Sequence, residues 1–299
     1  MNLFKRIFDA LIYSNLYVSL AAALLVIETN LLFDFENTGY SLAFFVFFAT
    51  LATYNFQRLV RYNINRIGSS KSHIWIGANY KFIVFLTIFS ILVSIIIFIL
   101  GLKLNLLFVL LPVGIISVWY VIDLRILGLK IPSLRVIPYI KIILISIVWS
   151  IVTAIFTILN NGQVSAILNL DVILIFLQRM FFVFAITLPF DIRDMEYDKK
   201  RDLKTIPLFF GIEKAKIIAQ GALLGFSGLV ILQYVTGSKL EPEEAIALVV
   251  SAAVSSFIIY KTHENQKEYF YSFIMDGTMI LQFLLVLATG NIEAFAYNA

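Results

Sequence analysis

Residues 172–190, VILIFLQRMFFVFAITLPF, run without a break into Asp191-Ile192-Arg193-Asp194-Met195-Glu196-Tyr197-Asp198. A second polar stretch, Lys199-Lys200-Arg201-Asp202-Leu203-Lys204-Thr205-Ile206-Pro207, follows directly. The apolar part has the length of a membrane-crossing helix, about 17–25 residues. If the helix continues past Phe190, Asp191, Asp194 and Asp198 fall at i, i+3 and i+7. That spacing puts them on one face, within about 11 Å along the axis. Carboxylates so placed repel one another unless a cation stands between them. Hard cations, Mg²⁺ above all, are held by one or two carboxylates together with substrate phosphates. The stretch therefore reads as a metal–diphosphate site at the end of a membrane helix. The competing reading is a solvated salt-bridge network in which Arg193, Lys199, Lys200 and Arg201 neutralise the acids.

The rest of the 299-residue chain agrees with a membrane setting. It is 61% hydrophobic and only 14% charged, with a mean hydropathy of +0.92. A soluble domain is closer to half apolar and a quarter charged. The apolar runs are long and do not alternate, which excludes a β-barrel. With no cysteine, disulfides, thiolate metal sites and cysteine nucleophiles are excluded. His73 and His263 are the only histidines, too few for a histidine-based zinc site. Lys5 and Arg6 precede an apolar segment that reads on as a first span rather than as a cleavable signal.

Nine segments reach spanning length: 10–27, 41–60, 82–100, 104–122, 136–159, 172–190, 215–235, 245–260 and 273–289. Their connections alternate strictly in charge. All of the 23 Lys and Arg residues except Lys103, Arg179 and Lys239 fall at the N-terminus, in the connections after spans two, four, six and eight, or at the span ends that border them. Under the positive-inside rule these connections are cytoplasmic, with the N-terminus inside and the C-terminus on the opposite side. The expectation is an all-α, polytopic bundle of nine transmembrane helices forming one domain over 1–299. Spans two and six both extend into polar, charged sequence four spans apart, which hints at a duplicated four-helix unit.

At the cytoplasmic end of span two, Asn55, Arg58, Tyr62 and Arg66 lie near one face, with Arg61 on an overlapping one. An arginine fork gives bidentate, charge-assisted bonds to phosphate oxygens. The alternative is a belt of arginines reaching lipid headgroups. Tyr120 and Asp123 end span four close to Arg125 and are candidates for the same mouth. Arg179 lies deep inside span six, where a charge facing lipid costs about 2.5–3.5 kcal/mol on insertion scales. It should face the interior and pair with a carboxylate such as Glu28 or Asp171. Asp276, just inside span nine, is a second interior carboxylate, lining a cavity or pairing with a nearby lysine. Some of the 28 phenylalanines are candidates to shield a carbocation by cation–π contact.

These residues resemble the UbiA-type intramembrane prenyltransferases. Asp191, Asp194 and Asp198, then Lys204, Thr205, Pro207 and Gly211, match the family's second signature, and the overall likeness covers nearly the whole chain. Asn55 matches the asparagine of the first signature, but its three aspartate positions fall on Phe56, Leu59 and Asn63. Tyr120 resembles the tyrosine that the family carries after span four. The resemblance implies a multi-pass enzyme that transfers an isoprenoid chain from a prenyl diphosphate to an aromatic or other lipophilic acceptor, within membrane lipid and with no nucleic-acid partner. It also implies Mg²⁺, with Asp191, Asp194 and Asp198 as catalytic and metal-holding residues. Asn55, Arg58, Arg61, Arg66, Tyr120 and Lys204 are then candidates to bind the diphosphate. Charge on a departing diphosphate can be neutralised by metals or by arginines. The expectation is thus an asymmetric site, with one Mg²⁺ at the aspartates and Arg58 and Arg61 where a second would stand. Two other readings remain open: a family member without catalysis that binds lipid or diphosphate, and a transporter.

Overall fold

The computed structural model describes residues 3–35, 40–64, 70–123, 132–137, 139–162, 168–236 and 240–290. Among these residues the chain is helical throughout, with no strand. Arg66, Arg125, Lys130, Pro138 and Lys239 lie outside the described residues.

The sequence of elements is α1 (Leu3–Tyr13), α2 (Leu16–Leu32), α3 (Ser41–Ile64), α4 (Lys71–Ala78), α5 (Tyr80–Gly101) and α6 (Leu107–Trp119). There follow α7 (Ile140–Ser150), continued through a π-helical segment Ile151–Ile155 into α8 (Phe156–Asn160), and then α9 (Leu170–Arg193). The short α10 (Met195–Lys199) and α11 (Ile206–Phe210) lead to α12 (Ile212–Val235) and α13 (Pro242–Tyr260). A second π-helical segment, Phe270–Met275, opens α14 (Asp276–Leu287).

Helices stand where all nine apolar segments were expected, but nine spans are not established. Among the described residues, six helices are long and apolar enough to cross a membrane, and a bent pair, Lys5–Tyr13 with Leu16–Leu32, makes a seventh if it is one span. The expected fourth span is a shorter apolar helix, Leu104–Trp119. The polar end of α3, with Asn55, Gln57, Arg58 and Arg61, accounts for its lower hydropathy.

The expected first span, 10–27, is broken. Asn15 adopts a left-handed conformation (φ 63°), and the two helices meet at 62°. A helix end buried in an apolar setting leaves carbonyls that must find donors. α3 supplies them: the Asn55 amide donates to the Ser14 carbonyl (2.9 Å), and the Arg58 guanidinium donates to that of Tyr13. Asn15 completes the joint by donating to the Asn55 side-chain oxygen (2.8 Å).

Small residues let α9 and α12 pack tightly, as expected where lipid offers no hydrophobic gain on association. Ala215, Ala219 and Ala222 are buried on α12. A Cβ at Gly225 would meet the Phe181 ring at 3.0 Å. Polar groups lock this pair as well, and α9 to α2. Gln178 of α9 donates to Gln233 of α12 (2.7 Å), and Gln233 donates to Asp171 (3.3 Å). Arg179 turns inward and bonds Glu28 of α2 at 2.9 Å and Thr29 at 3.3 Å. Of the two partners expected for Arg179, Glu28 is the one it takes. α2, α3, α6, α7, α9 and α14 surround a common cavity. α5 lies outside on α3, with Phe85, Ile95 and Ile99 exposed as a lipid-facing surface requires.

Candidate functional site

The cavity has a volume of about 1130 Å³, polar at one end and apolar at the other. The polar end collects Arg58 and Arg61 from α3, Tyr120 after α6, Arg135, Lys141 from α7, and Asp191, Arg193 and Asp194 from the end of α9. Asp276 lines it from the start of α14. The apolar end is formed by residues such as Phe45, Ala49, Val113, Val148 and Phe156. Both π-helical segments contribute lining residues, Val152 and Thr153 from one and Ser272 from the other. Such bulges re-aim side chains and recur at functional sites.

The aspartates do not continue one helix, as the spacing had suggested. α9 stops at Arg193, with Asp194 as its C-cap, and α10 carries Asp198. The turn nevertheless holds, because the Asp198 N–H donates to the Asp194 carbonyl at 2.8 Å. Asp191 and Asp198 are fully buried. They converge on one cation: the Lys141 ammonium bonds Asp191 and stands 3.7 Å from Asp198 Oδ2. Asp194 instead takes the fork of its neighbour, with Arg193 Nε at 2.8 Å and Nη2 at 3.3 Å. Arg193 also lies over the Phe190 and Tyr271 rings, at 5.1 and 5.5 Å.

These surroundings split the proton affinities of the two carboxylates beyond the helix end. Burial raises that of Asp198, and the Lys141 charge only partly offsets it. Burial also acts on Asp194, but Arg193 and Lys141 overcome it and hold its carboxyl well below the usual range.

The arrangement fits a hard cation in a specific way. Among the described residues, no three acidic, histidine or cysteine side chains stand together as a finished metal cage. Asp198, however, has both carboxylate oxygens buried without a hydrogen-bond partner. Such orphaned acceptors are costly unless something binds them. Asp191 and Asp198 already flank a positive charge, and oxygen-only donors suit Mg²⁺.

The other candidates divide. Arg58, Arg61 and Tyr120 reach the cavity. Arg61 donates to the Gln57 carbonyl of its own helix (3.3 Å). The Tyr120 carbonyl accepts from the Arg135 backbone at 3.3 Å. Asn55 is buried with its amide committed to Asn15 and Ser14. Lys204 is exposed and borders a separate small crevice behind Asp191 and Lys141. Its carbonyl accepts from the Tyr139 N–H at 3.2 Å. Arg66 lies outside the described residues. Lys141 and Arg135 were legible only as positive-inside charge. Their place just before and at the start of span five, on the same membrane face as the aspartates, was the available signal.

The UbiA prenyltransferase family model matches residues 132–276, the part of the chain that carries Arg135, Lys141 and the three aspartates. No curated protein matches by sequence. Among solved structures, the chain is similar to a UbiA homolog from Archaeoglobus fulgidus bound to GPP and Mg²⁺. That likeness has a TM-score of 0.65 at 15% identity, covering 93% of this chain and 99% of the other. It is also similar to the apo UbiA homolog from Aeropyrum pernix K1, with TM-score 0.65, 14% identity and coverage of 93% and 98%. A structure of digeranylgeranylglyceryl phosphate synthase follows with TM-score 0.56 at 15% identity, covering 98% and 99%. At these identities the likeness to solved structures is one of fold.

Proposed function

We propose that this chain, which belongs to the UbiA prenyltransferase family, is a Mg²⁺-dependent intramembrane enzyme moving an isoprenoid chain from a prenyl diphosphate to a lipophilic acceptor. The observation that carries the reading is the cavity itself. Its charged end is built from two guanidinium groups of α3 and the acidic end of α9, and its other end is an apolar chamber continuous with it. An amphipathic substrate with a polyanionic head and a hydrocarbon tail matches that polarity. The charged mouth is taken to face the cytoplasm, with the N-terminus on that side.

Asp191 and Asp198 would hold the Mg²⁺, joined by Asp194 once it leaves Arg193. The ion would supply charge neutralisation to the diphosphate oxygens. Arg58 and Arg61 face the same head group with fixed donors. α3 contains no Asp or Glu at all, so guanidinium charge takes the role of a second metal. Lys141, Arg135 and Arg193 add positive charge where the leaving group gains negative charge, which is where preorganised donors act most strongly. The apolar walls keep water from the allylic carbon after the C–O bond to diphosphate breaks.

The test measures binding of labelled geranyl diphosphate with and without Mg²⁺ in Asp194→Ala and Arg61→Ala. Arg61 is chosen because Arg58 also holds the α1–α2 joint. Arg61→Ala should weaken binding about 10- to 100-fold in both conditions, as loss of a charge-assisted bond predicts. Asp194→Ala should remove most of the Mg²⁺ enhancement and leave metal-free binding in place. If neither variant alters metal-dependent binding, the asymmetric site is wrong.

A second reading, a family member that binds diphosphate without transferring the chain, is favoured by the place of Lys141. Its ammonium stands between Asp191 and Asp198, where a metal would act. Prenyl diphosphate binding without any pyrophosphate release would select it.

A further inference from the structure

Glycine inside a helix is disfavoured relative to alanine, so each interior glycine asks what its missing side chain makes room for. At four helical glycines the structure answers directly. A Cβ would meet Tyr62 Oη at 2.7 Å from Gly77, Ser41 at 3.1 Å from Gly101, Phe181 at 3.0 Å from Gly225, and Tyr17 Oη at 2.7 Å from Gly277. Gly114, in the middle of α6, is exposed and open, as Gly221 and Gly228 of α12 are, but it alone of the three lines the cavity. No heavy atom lies within 4 Å of where its Cβ would stand, and the residue lines the cavity. Nothing in the protein uses the space that this glycine leaves.

Its position says what could. Gly114 lies six residues before Tyr120, about 9 Å deeper along α6 at 1.5 Å per residue. It is therefore below the charged mouth and on the apolar part of the wall. The same cavity is lined by Leu110 and Val113 on α6, Ala49 on α3, and Leu144 and Val148 on α7. A head group anchored at Arg61 and Lys141 would send its hydrocarbon tail past this point.

We propose that Gly114 sets the bore of the channel that receives the isoprenoid tail, and so decides how long a prenyl diphosphate the protein accepts. This rests on the prenyl diphosphate reading above. Hydrocarbon length is recognised by contact along a wall, and a side chain at 114 would narrow the wall where longer tails must pass.

The experiment measures Mg²⁺-dependent binding of geranyl, farnesyl and geranylgeranyl diphosphate to the full-length protein in detergent, without acceptor. Gly114→Trp should leave geranyl diphosphate within about threefold of the wild type. It should weaken geranylgeranyl diphosphate about tenfold or more, the loss expected when several buried methylenes lose their contacts. Retained binding of geranyl diphosphate in Gly114→Trp shows that the fold survives the substitution. Gly228→Trp, on an exposed face of α12 away from the cavity, should change none of them. Equal losses for all three chain lengths in Gly114→Trp, or no loss at all, overturn the proposal. Failure of the wild type to bind any of the three removes the prenyl diphosphate reading itself, and this inference with it.

Discussion

Asp198→Asn should leave the protein at least as stable as the wild type while lowering pyrophosphate release from a prenyl diphosphate by about 100-fold or more. The two effects separate because of what surrounds this carboxylate. Both its oxygens are buried and unbonded, and the nearest cation stands 3.7 Å away. A buried charge so poorly compensated costs folding free energy, and a neutral amide of the same shape relieves part of that cost. Asp191 keeps Lys141, so no new unpaired cation appears. Function moves the other way, because those two oxygens are what a metal would engage. Thermal unfolding in detergent, read beside pyrophosphate release, checks both halves. A strongly destabilised Asp198→Asn would make Asp198 a structural residue.

Arg179→Met should destabilise the bundle by about 3–5 kcal/mol, because it leaves Glu28 charged and alone in the interior. The pair is fully enclosed, with side chains 2% and 0% exposed, and it ties α9 to α2. It is also incompletely satisfied: Arg179 Nε and Nη1 and Glu28 Oε2 have no partner among the described residues. Replacing both members should therefore recover most of the loss, since an apolar pair of similar volume packs without the desolvation penalty. Unfolding in mixed micelles of Arg179→Met, Glu28→Met and the double variant measures this. If the double variant is as unstable as Arg179→Met alone, the pair contributes far more than its mutual compensation.

That ion pair shows which parts of the molecule could be read before the fold was known. A guanidinium deep in an apolar run has to find a carboxylate, and Glu28 was one of two candidates. The helical nature of the apolar segments was legible for the same kind of reason, since length and hydropathy act locally. The aspartate trio was legible as a group, but the end of α9 was not. Arg193 turns onto Asp194 and onto two aromatic rings, Phe190 and Tyr271. One of those rings comes from a segment some eighty residues away. Lys141 could be counted as cytoplasmic charge, yet its place between Asp191 and Asp198 depends on how α7 packs against α9. Asn55 was expected to face substrate because it matches the asparagine of the first signature. Its actual bonds go to a break at Ser14 and Asn15 that the apolar pattern of the first segment conceals. Spacing along one helix can be read from sequence, whereas charges brought together by helix packing cannot.

A single divalent ion, with arginines opposite it, should be what neutralises the diphosphate. Mn²⁺ takes the same oxygen-rich octahedral sites as Mg²⁺ and can be counted by electron paramagnetic resonance. Wild-type protein saturated with geranyl diphosphate should bind one Mn²⁺ per diphosphate, and Asp198→Asn should lose it. Two ions per diphosphate, or one that persists in Asp198→Asn, would contradict the account.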